Sequence, residues 1–424
     1  MSNETTASTM KQEATTPLVP KLRFPEFREE EEWTLKAGNS LFAQIKDRNP
    51  EPGLPVLAIT QEHGAIPRHL IDYHVSVTEK SIESYKVVQV GDFIISLRSF
   101  QGGIEYSRFH GICSPAYVIL RRRVKGSDEY FRHYLKSDGF IRILTKNLEG
   151  LRDGKMISYA QFSELLLPIP GHAEQQKIAD CLSSLDELIA AQAQKVEALK
   201  THKKGLIQQL FPREGETQPR LRFPEFQDAG EWVPDALENL TSAKISYGIV
   251  QAGPHVSDGM PYIKSTDLNS RLCLANLART SDAIAHKYRR SEVLPGDIVF
   301  SLRGNIGVAQ IVPETIPVAN LTQGTARIRT KESPEFYFYA LQNPSIRNRI
   351  LAVGKGSTFQ EISLQALRNI QLVHPHPAEQ QRIASCLSKL DARITAENQK
   401  LEALKTHKKG LMQQLFPSTG VDEP

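Results

Sequence analysis

Two stretches of this chain carry the same hydrophobic rhythm. In the first, Ile178, Leu182, Leu185, Ile189, Val196, Leu199, Leu206 and Leu210 fall at alternating spacings of three and four, with Gln192 and Lys203 filling the seam. In the second, the series is Ile383, Leu387, Leu390, Ile394, Leu401, Leu404, Leu411 and Leu415, with Glu397 and Lys408 in the gaps. An apolar seam on a 3.5-residue period over about five heptads predicts a coiled coil. Helices of roughly 37–40 residues far exceed globular lengths, which disfavours two ordinary core helices. Acidic and Gln residues near the starts and Lys-Lys pairs near the ends (Lys203, Lys204, Lys408, Lys409) suit the helix dipole, and Phe-Pro closes each helix.

The remaining chain has a shorter period. From about Trp33 to Pro168 and from about Trp232 to Val373 run short β-like segments: VLAIT, FIISLR and AYVILRRR, then YIKST, DIVFSLR and TARIRT. Gly and Pro punctuate them, and the helical patterns EYFRHYLKS and EFYFYALQN follow. Each stretch reads as an α+β domain around a twisted, largely antiparallel sheet.

These elements are two copies of one unit. PKLRFPEF at Pro20 recurs as PRLRFPEF at Pro219, each followed by Glu-Trp, and GDFIISLR at Gly91 recurs as GDIVFSLR at Gly296. The segment Ala173–Pro212 recurs at Ala378–Pro417 with about three quarters of its positions identical. This is a domain-level duplication and not a solenoid array. The helices are nearly the same while the globular parts have diverged outside short motifs. A shared job for the helices and two different jobs for the domains follow.

Connectivity constrains the geometry. If the helices pair, the start of the second must lie near the end of the first, so they run antiparallel with one globular domain at each end. Helices of this length span about 55–60 Å at ~1.5 Å per residue. The expected fold is therefore α+β: two globular domains joined by two long antiparallel coiled-coil helices with pseudo-two-fold symmetry. PKLRFPEF would sit by the end of the second helix, as PRLRFPEF sits after the first. The predicted segments are a disordered leader (1–19), a first globular domain with its lead-in (20–168), a helical spacer and linker (169–231), a second globular domain (232–373), a second helical spacer (374–417) and a tail (418–424).

Composition narrows the function without naming it. The chain has 52 basic and 48 acidic side chains, a net charge of +4, so any nucleic-acid footprint must be local. Four widely spaced cysteines with no CxxC pair argue against a zinc site or disulfide framework and suit a reducing cytosol. The polar N-terminus has no apolar core of a signal peptide, and no stretch reaches membrane-spanning length, so a cytoplasmic protein without membrane contact is expected.

Three segments per domain are candidates for DNA contact. The loop after the repeated strand carries Arg98, Ser99 and Gln101 in one copy and Arg303 and Asn305 in the other; Arg, Gln and Asn read guanine and adenine edges bidentately. A Gly/Lys loop late in each domain carries Arg152 and Lys155, then Lys355, Ser357 and Thr358, side chains suited to phosphates. The opening strand-to-loop carries Gln61 and, in the second copy, Lys264. A solvated surface turn is the competing reading of each. Arg121–Arg123 reads as a strand end with a general phosphate role or plain solvation. Catalytic signatures are missing: there is no Asn/Asp-Pro-Pro-Tyr/Phe run, no phosphate-cradling GxxxxGK[ST] loop and no nuclease acid cluster. His202 and His407 beside Lys-Lys read as solvated or packing groups, and Cys181 and Cys386 as small packing residues.

Taken together, the two diverged domains, the Ala-Glu-Gln-Gln-Lys/Arg-Ile-Ala helix starts at Ala173 and Ala378, and the Leu-Arg-Phe-Pro-Glu-Phe motifs after Lys21 and Arg220 resemble the specificity subunits of type I restriction-modification enzymes over about residues 20–417. The resemblance implies a non-catalytic subunit with two target-recognition domains, each reading one half of an interrupted site on double-stranded DNA, and a helical spacer setting the gap. It implies assembly with two adenine-methyltransferase subunits and with restriction/translocase subunits. S-adenosylmethionine, ATP and Mg would then belong to those partners, with no cofactor or metal on this chain. The other readings are a stand-alone sequence-specific DNA-binding regulator and an enzyme of unrecognised type.

Overall fold

A computed structural model of the chain describes residues 18–71, 82–146, 157–353 and 361–417. Two continuous helices, His172–Leu210 and Pro377–Leu415, match the predicted coiled-coil segments. The chain divides into two compact units, and the division falls inside both helices: Met1–Gln192 with Lys400–Pro424, and Ala193–Gln399. Each unit therefore contains a globular domain, the start of the helix that follows it and the end of the other helix.

In the first unit a four-stranded antiparallel sheet has the order Phe42–Ile45, Val118–Arg122, Phe93–Ile95, Glu105–Tyr106. A separate pair, Thr34–Ala37 with Leu166–Ile169, joins the lead-in to the strand that feeds the long helix. The Phe93–Ile95 strand is buried throughout, as its unbroken Phe-Ile-Ile run requires. The helix Asp128–Tyr134 drives Tyr130, Phe131 and Tyr134 into a core with Trp33, Phe42, Ile178 and Leu182. Leu415 and Phe416, from the end of the second helix, close this core; Phe416 lies 5.8 Å from Tyr130 and 5.3 Å from Tyr134.

The second unit repeats the scheme. Its four-stranded sheet runs Ser246–Tyr247, Thr325–Ile328, Ile298–Ser301, Ala309–Ile311, and its flanking pair is Val233–Ala236 with Gln371–His374. Trp232, Phe336 and Tyr337 pack with Ile207, Leu210, Phe211, Ile383 and Leu387. The units part company in their smaller sheets. The first has two antiparallel pairs, the hairpin Leu57–Thr60 with Gly64–Pro67 and the sequence-distant Lys86–Val88 with Gly111–Cys113. The second has three strands in which Met260–Ile263 pairs antiparallel with Ala278–Thr280 and in parallel with Asn320–Leu321, within the largely antiparallel arrangement expected.

The helices run antiparallel within each unit. In the second unit Lys195 meets Glu397 at 2.5 Å and Lys203 meets Asp391 at 2.6 Å, so numbers fall along one helix as they rise along the other. In the first unit Lys408 meets Asp186 at 2.5 Å. Lys203 and Lys408, expected as dipole partners, are thus cross-helix ion-pair members at the seam. Ile178, Leu182, Ile383, Leu387 and Ile394 are buried, whereas Leu185, Ile189, Leu199, Leu390 and Leu404 are only half-covered and Leu188 is exposed. Val196 and Leu401, midway along the helices, are buried as well, so covered and half-covered seam positions alternate along their length.

Candidate nucleic-acid interface

The recurring motifs turn out to be scaffold. Gly91 and Gly296 hold φ of +94° and +87°, a conformation that costs a side chain but not glycine. The aspartate that follows then folds back. Asp92 accepts the Gln89 N–H at 2.7 Å and both arms of Arg121 at 2.7 and 2.9 Å; Asp297 accepts the Leu294 N–H at 2.8 Å and both arms of Arg329 at 2.7 Å each. The carboxylate hydrogen bonds hold both guanidinium pKa values above their usual range. Arg121 is therefore a sheet staple and Arg122 pairs with Asp128 at 2.6 Å, which corrects the phosphate-or-solvent reading for both; Arg123 is exposed.

The two most conspicuous repeats form one device. Arg23 of LRFPEF grips Glu174 of AEQQ through Nε–Oε1 and Nη2–Oε2 at 2.9 and 2.8 Å, with both side chains buried, and donates further to the carbonyls of Glu30 and Glu31. Arg222 does the same to Glu379 at 2.8 and 2.7 Å. In each unit the lead-in also docks on a helix end: Leu22 N–H donates to the Gln414 carbonyl and Leu221 N–H to that of Gln209, both at 2.9 Å. PKLRFPEF thus takes beside Gln414 the position that PRLRFPEF takes beside Gln209, as the duplication predicts.

On this scaffold the first and third candidate segments converge. In the first unit Gln61 follows the strand Leu57–Thr60, and its Nε2 reaches the Arg98 carbonyl at 3.4 Å. A Cβ on Gly102 would stand 2.6 Å from the Gln61 amide, so glycine here leaves room for that side chain to lie against the loop. Gln61 and Arg98 line a cleft of about 480 Å³ with Thr60 and Arg68. Arg98 and Gln101 are exposed. Ser99 is a correction: it opens a one-turn helix, is 1% exposed, and its Oγ accepts the Ser96 N–H at 2.8 Å, so it shapes the loop from within. Arg68, which no motif marks, joins the cleft because it directly follows the Gly64–Pro67 strand.

In the second unit Lys264 precedes a short turn, Ser265–Asn269, and its N–H donates to Asp267 at 2.8 Å. Asn305 Nδ2 donates to Asn269 Oδ1 at 2.7 Å, tying the opening loop to the loop after the repeated strand. Arg303 sits half-exposed with Nε 2.9 Å from Glu361, the residue that begins the described chain after the Gly/Lys loop. The other candidates, Arg152, Lys155, Lys355, Ser357 and Thr358, lie outside the described residues. The two candidate surfaces therefore differ in chemistry: an open Arg/Gln cleft in one unit, an amide-and-ion-pair surface in the other.

Each domain meets its long helix through matched polar groups that sequence reasoning missed. His133 lies 3.2 Å from Ser183 Oγ and 3.9 Å from Asp186, and burial pulls its pKa down to about 3. Tyr339 occupies the corresponding place, its hydroxyl donating to Asp391 at 2.7 Å, and burial raises its pKa. Among the described residues no His/Cys/Asp/Glu cluster could hold a metal ion, and no helix is long and apolar enough to cross a membrane.

Two units of one scaffold, with unlike loops brought together on each, define a double-headed recognition protein. The chain matches the family of the type I restriction modification DNA specificity domain twice, over residues 33–201 and 251–406, and belongs to it. It is 26% identical over 291 residues to the type I restriction enzyme EcoBI specificity subunit of Escherichia coli, spanning 63% of this chain and 60% of that one. Over 408 residues it is 23% identical to the MjaVIII specificity subunit of Methanocaldococcus jannaschii, spanning 91% and 92% of the two chains. Its fold is similar to the crystal structure of the type I restriction-modification S subunit from M. genitalium, with a TM-score of 0.53 at 16% identity over 94% of this chain and 99% of that one. A chain from a structure of type I R-M complex assembly and conformational transition gives 0.58 at 16% identity over 91% and 98%.

Proposed function

We propose that each compact unit reads one half of an interrupted DNA site, the first through Gln61, Arg98 and Gln101 and the second through Lys264, Arg303 and Asn305. Arg152, Lys155, Lys355, Ser357 and Thr358 supply phosphate contacts. The long helices set the gap between the halves and dock two adenine-methyltransferase subunits and the restriction/translocase subunits. This chain is non-catalytic and cytoplasmic; S-adenosylmethionine, ATP and Mg are bound by the partners.

The observation that carries this reading is the contrast between what the two units keep and what they change. The Arg–Glu clamp, the Asp–Arg staple and the four-stranded sheet are the same, whereas the loops on the sheet carry different hydrogen-bonding groups. A scaffold kept constant beneath altered polar loops is what two different base sequences require, since base edges are read by donors and acceptors. The names of the relatives supply the setting of that recognition. To test it, the chain is expressed with its methyltransferase and the host methylome is mapped by long reads. The expected motif has two defined stretches separated by unspecified bases, and inserting one heptad in each long helix lengthens the gap and keeps both stretches. A continuous motif, or a gap unaltered by the insertions, contradicts the proposal.

A further inference from the structure

The first unit carries a concave path that leads away from its reading loops. The cleft of about 480 Å³ at Gln61 and Arg98 adjoins, through Gln61, a second of about 570 Å³. That one shares Lys136, Lys408 and Met412 with a third, of about 260 Å³, where the stretch from Tyr134 to Ile143 meets the end of the second long helix. Nine Lys and Arg residues line the three clefts against five Asp and Glu. The imbalance sits mostly at the far end: the third cleft holds Lys136, Arg142, Lys405, Lys408 and Lys409 with Asp138 as its one carboxylate. For a chain of 424 residues whose total charge is +4, this is a concentrated positive surface.

Three of the five carboxylates already have cations: Glu105 holds Lys136, Asp186 holds Lys408, and Asp138 lies 3.1 Å from Lys409. Lys136 and Lys408 are thereby fixed in the fold. Lys405 and Lys409, 51% and 66% exposed, make only surface pairs, worth at most about 1 kcal/mol and open to exchange for another anion. A second observation concerns the sequence. Lys-Thr-His-Lys-Lys-Gly is identical at Lys200–Gly205 and Lys405–Gly410, and cross-helix pairing accounts for Lys203 and Lys408 alone. Residues that stay constant beneath diverged reading loops suit a ligand that is the same at every site. The phosphate backbone is such a ligand, because it carries no base sequence.

We infer that this path carries a DNA strand's phosphate backbone from the reading cleft toward the second long helix, with Lys405 and Lys409 as sequence-independent phosphate contacts. The inference rests on the DNA-reading role proposed above. It is tested on the complex with its methyltransferase, using a duplex bearing the mapped methylation motif. The affinity of wild type, Lys405→Ala/Lys409→Ala and Lys405→Arg/Lys409→Arg is followed as salt is raised. Loss of two phosphate contacts lowers the slope of log affinity against log salt by about 1.8, so the wild-type advantage shrinks about 12-fold between roughly 50 and 200 mM salt. The Arg pair keeps the wild-type slope, and the methylation motif is the same in all three. An unchanged slope in the Ala pair overturns the inference, including when the variant instead loses its methyltransferase, which would assign the lysines to protein docking. A wild-type complex that fails to prefer its motif duplex sinks the DNA-reading role itself.

Discussion

Replacing Arg23 by Ala removes one member of a buried, bidentate ion pair. Arg23 and Glu174 are 6% and 1% exposed in their side chains, so Glu174 would be left charged in the core with no partner for either oxygen. Removing one partner of such a pair costs about 3–5 kcal/mol, and two carbonyls, of Glu30 and Glu31, lose their donors as well. For a unit of this size that corresponds to a fall in Tm of roughly 6–20 °C. The assay is built into the chain, which has two tryptophans, one buried in each core: Trp33 and Trp232. In a Trp232→Phe background fluorescence reports the first unit, and in a Trp33→Phe background the second. Arg23→Ala shifts the Trp33 transition and leaves the Trp232 transition in place; Arg222→Ala does the reverse. Replacing both Arg23 and Glu174 by Met recovers part of the loss, because no charge is stranded. A shift below about 1 kcal/mol, or one felt equally by both tryptophans, refutes the clamp as the fastening of each domain to its helix.

Other consequences follow from the same contacts. Asp92→Asn weakens the Arg121 staple and lowers stability by about 1–3 kcal/mol without altering the methylated motif, because the GD motif is scaffold; denaturation and methylome mapping check the two halves of that statement. His133, held neutral by burial with its pKa near 3, favours folding fully above its unfolded pKa of about 6.5, and that contribution is lost as pH falls below 6.5. Relative to His133→Tyr, which copies Tyr339, the wild type therefore loses about 2 kcal/mol between pH 6.5 and 5, and urea melts showing a constant difference would contradict this. Gln61→Ala with Arg98→Ala relaxes the half-site read by the first unit and spares the other; a methylome altered in both halves counts against the assignment.

Much of this was legible because repetition makes a sequence its own comparison. The two helices follow from seam residues such as Ile178 and Leu182, and their antiparallel course from connectivity. What stayed hidden depends on contacts between distant residues. Arg23 and Glu174 lie 151 positions apart, and each alone reads as a solvated charge. Their shared recurrence as Arg222 and Glu379 was the available signal, and pairing the two repeated motifs would have found the clamp. Ser99 was misplaced because a hydroxyl after a strand serves equally as a reader or as a turn-former, and the one-turn helix decides for the second. Lys203 and Lys408 suit the helix dipole on local grounds alone, and their partners across the seam lie 188 and 222 positions away in sequence, so neither pairing has a local signal. The His133 and Tyr339 sites share no residue type, so no sequence pattern joins them.

If the two units read DNA separately, exchanging one domain alters only the half-site that domain reads. The most direct measurement exchanges residues 232–373 for the corresponding domain of another family member and maps the methylome of the hybrid with its methyltransferase. One half of the motif should change while the other half and the gap stay as they were. A hybrid that alters both halves, or neither, contradicts separate reading.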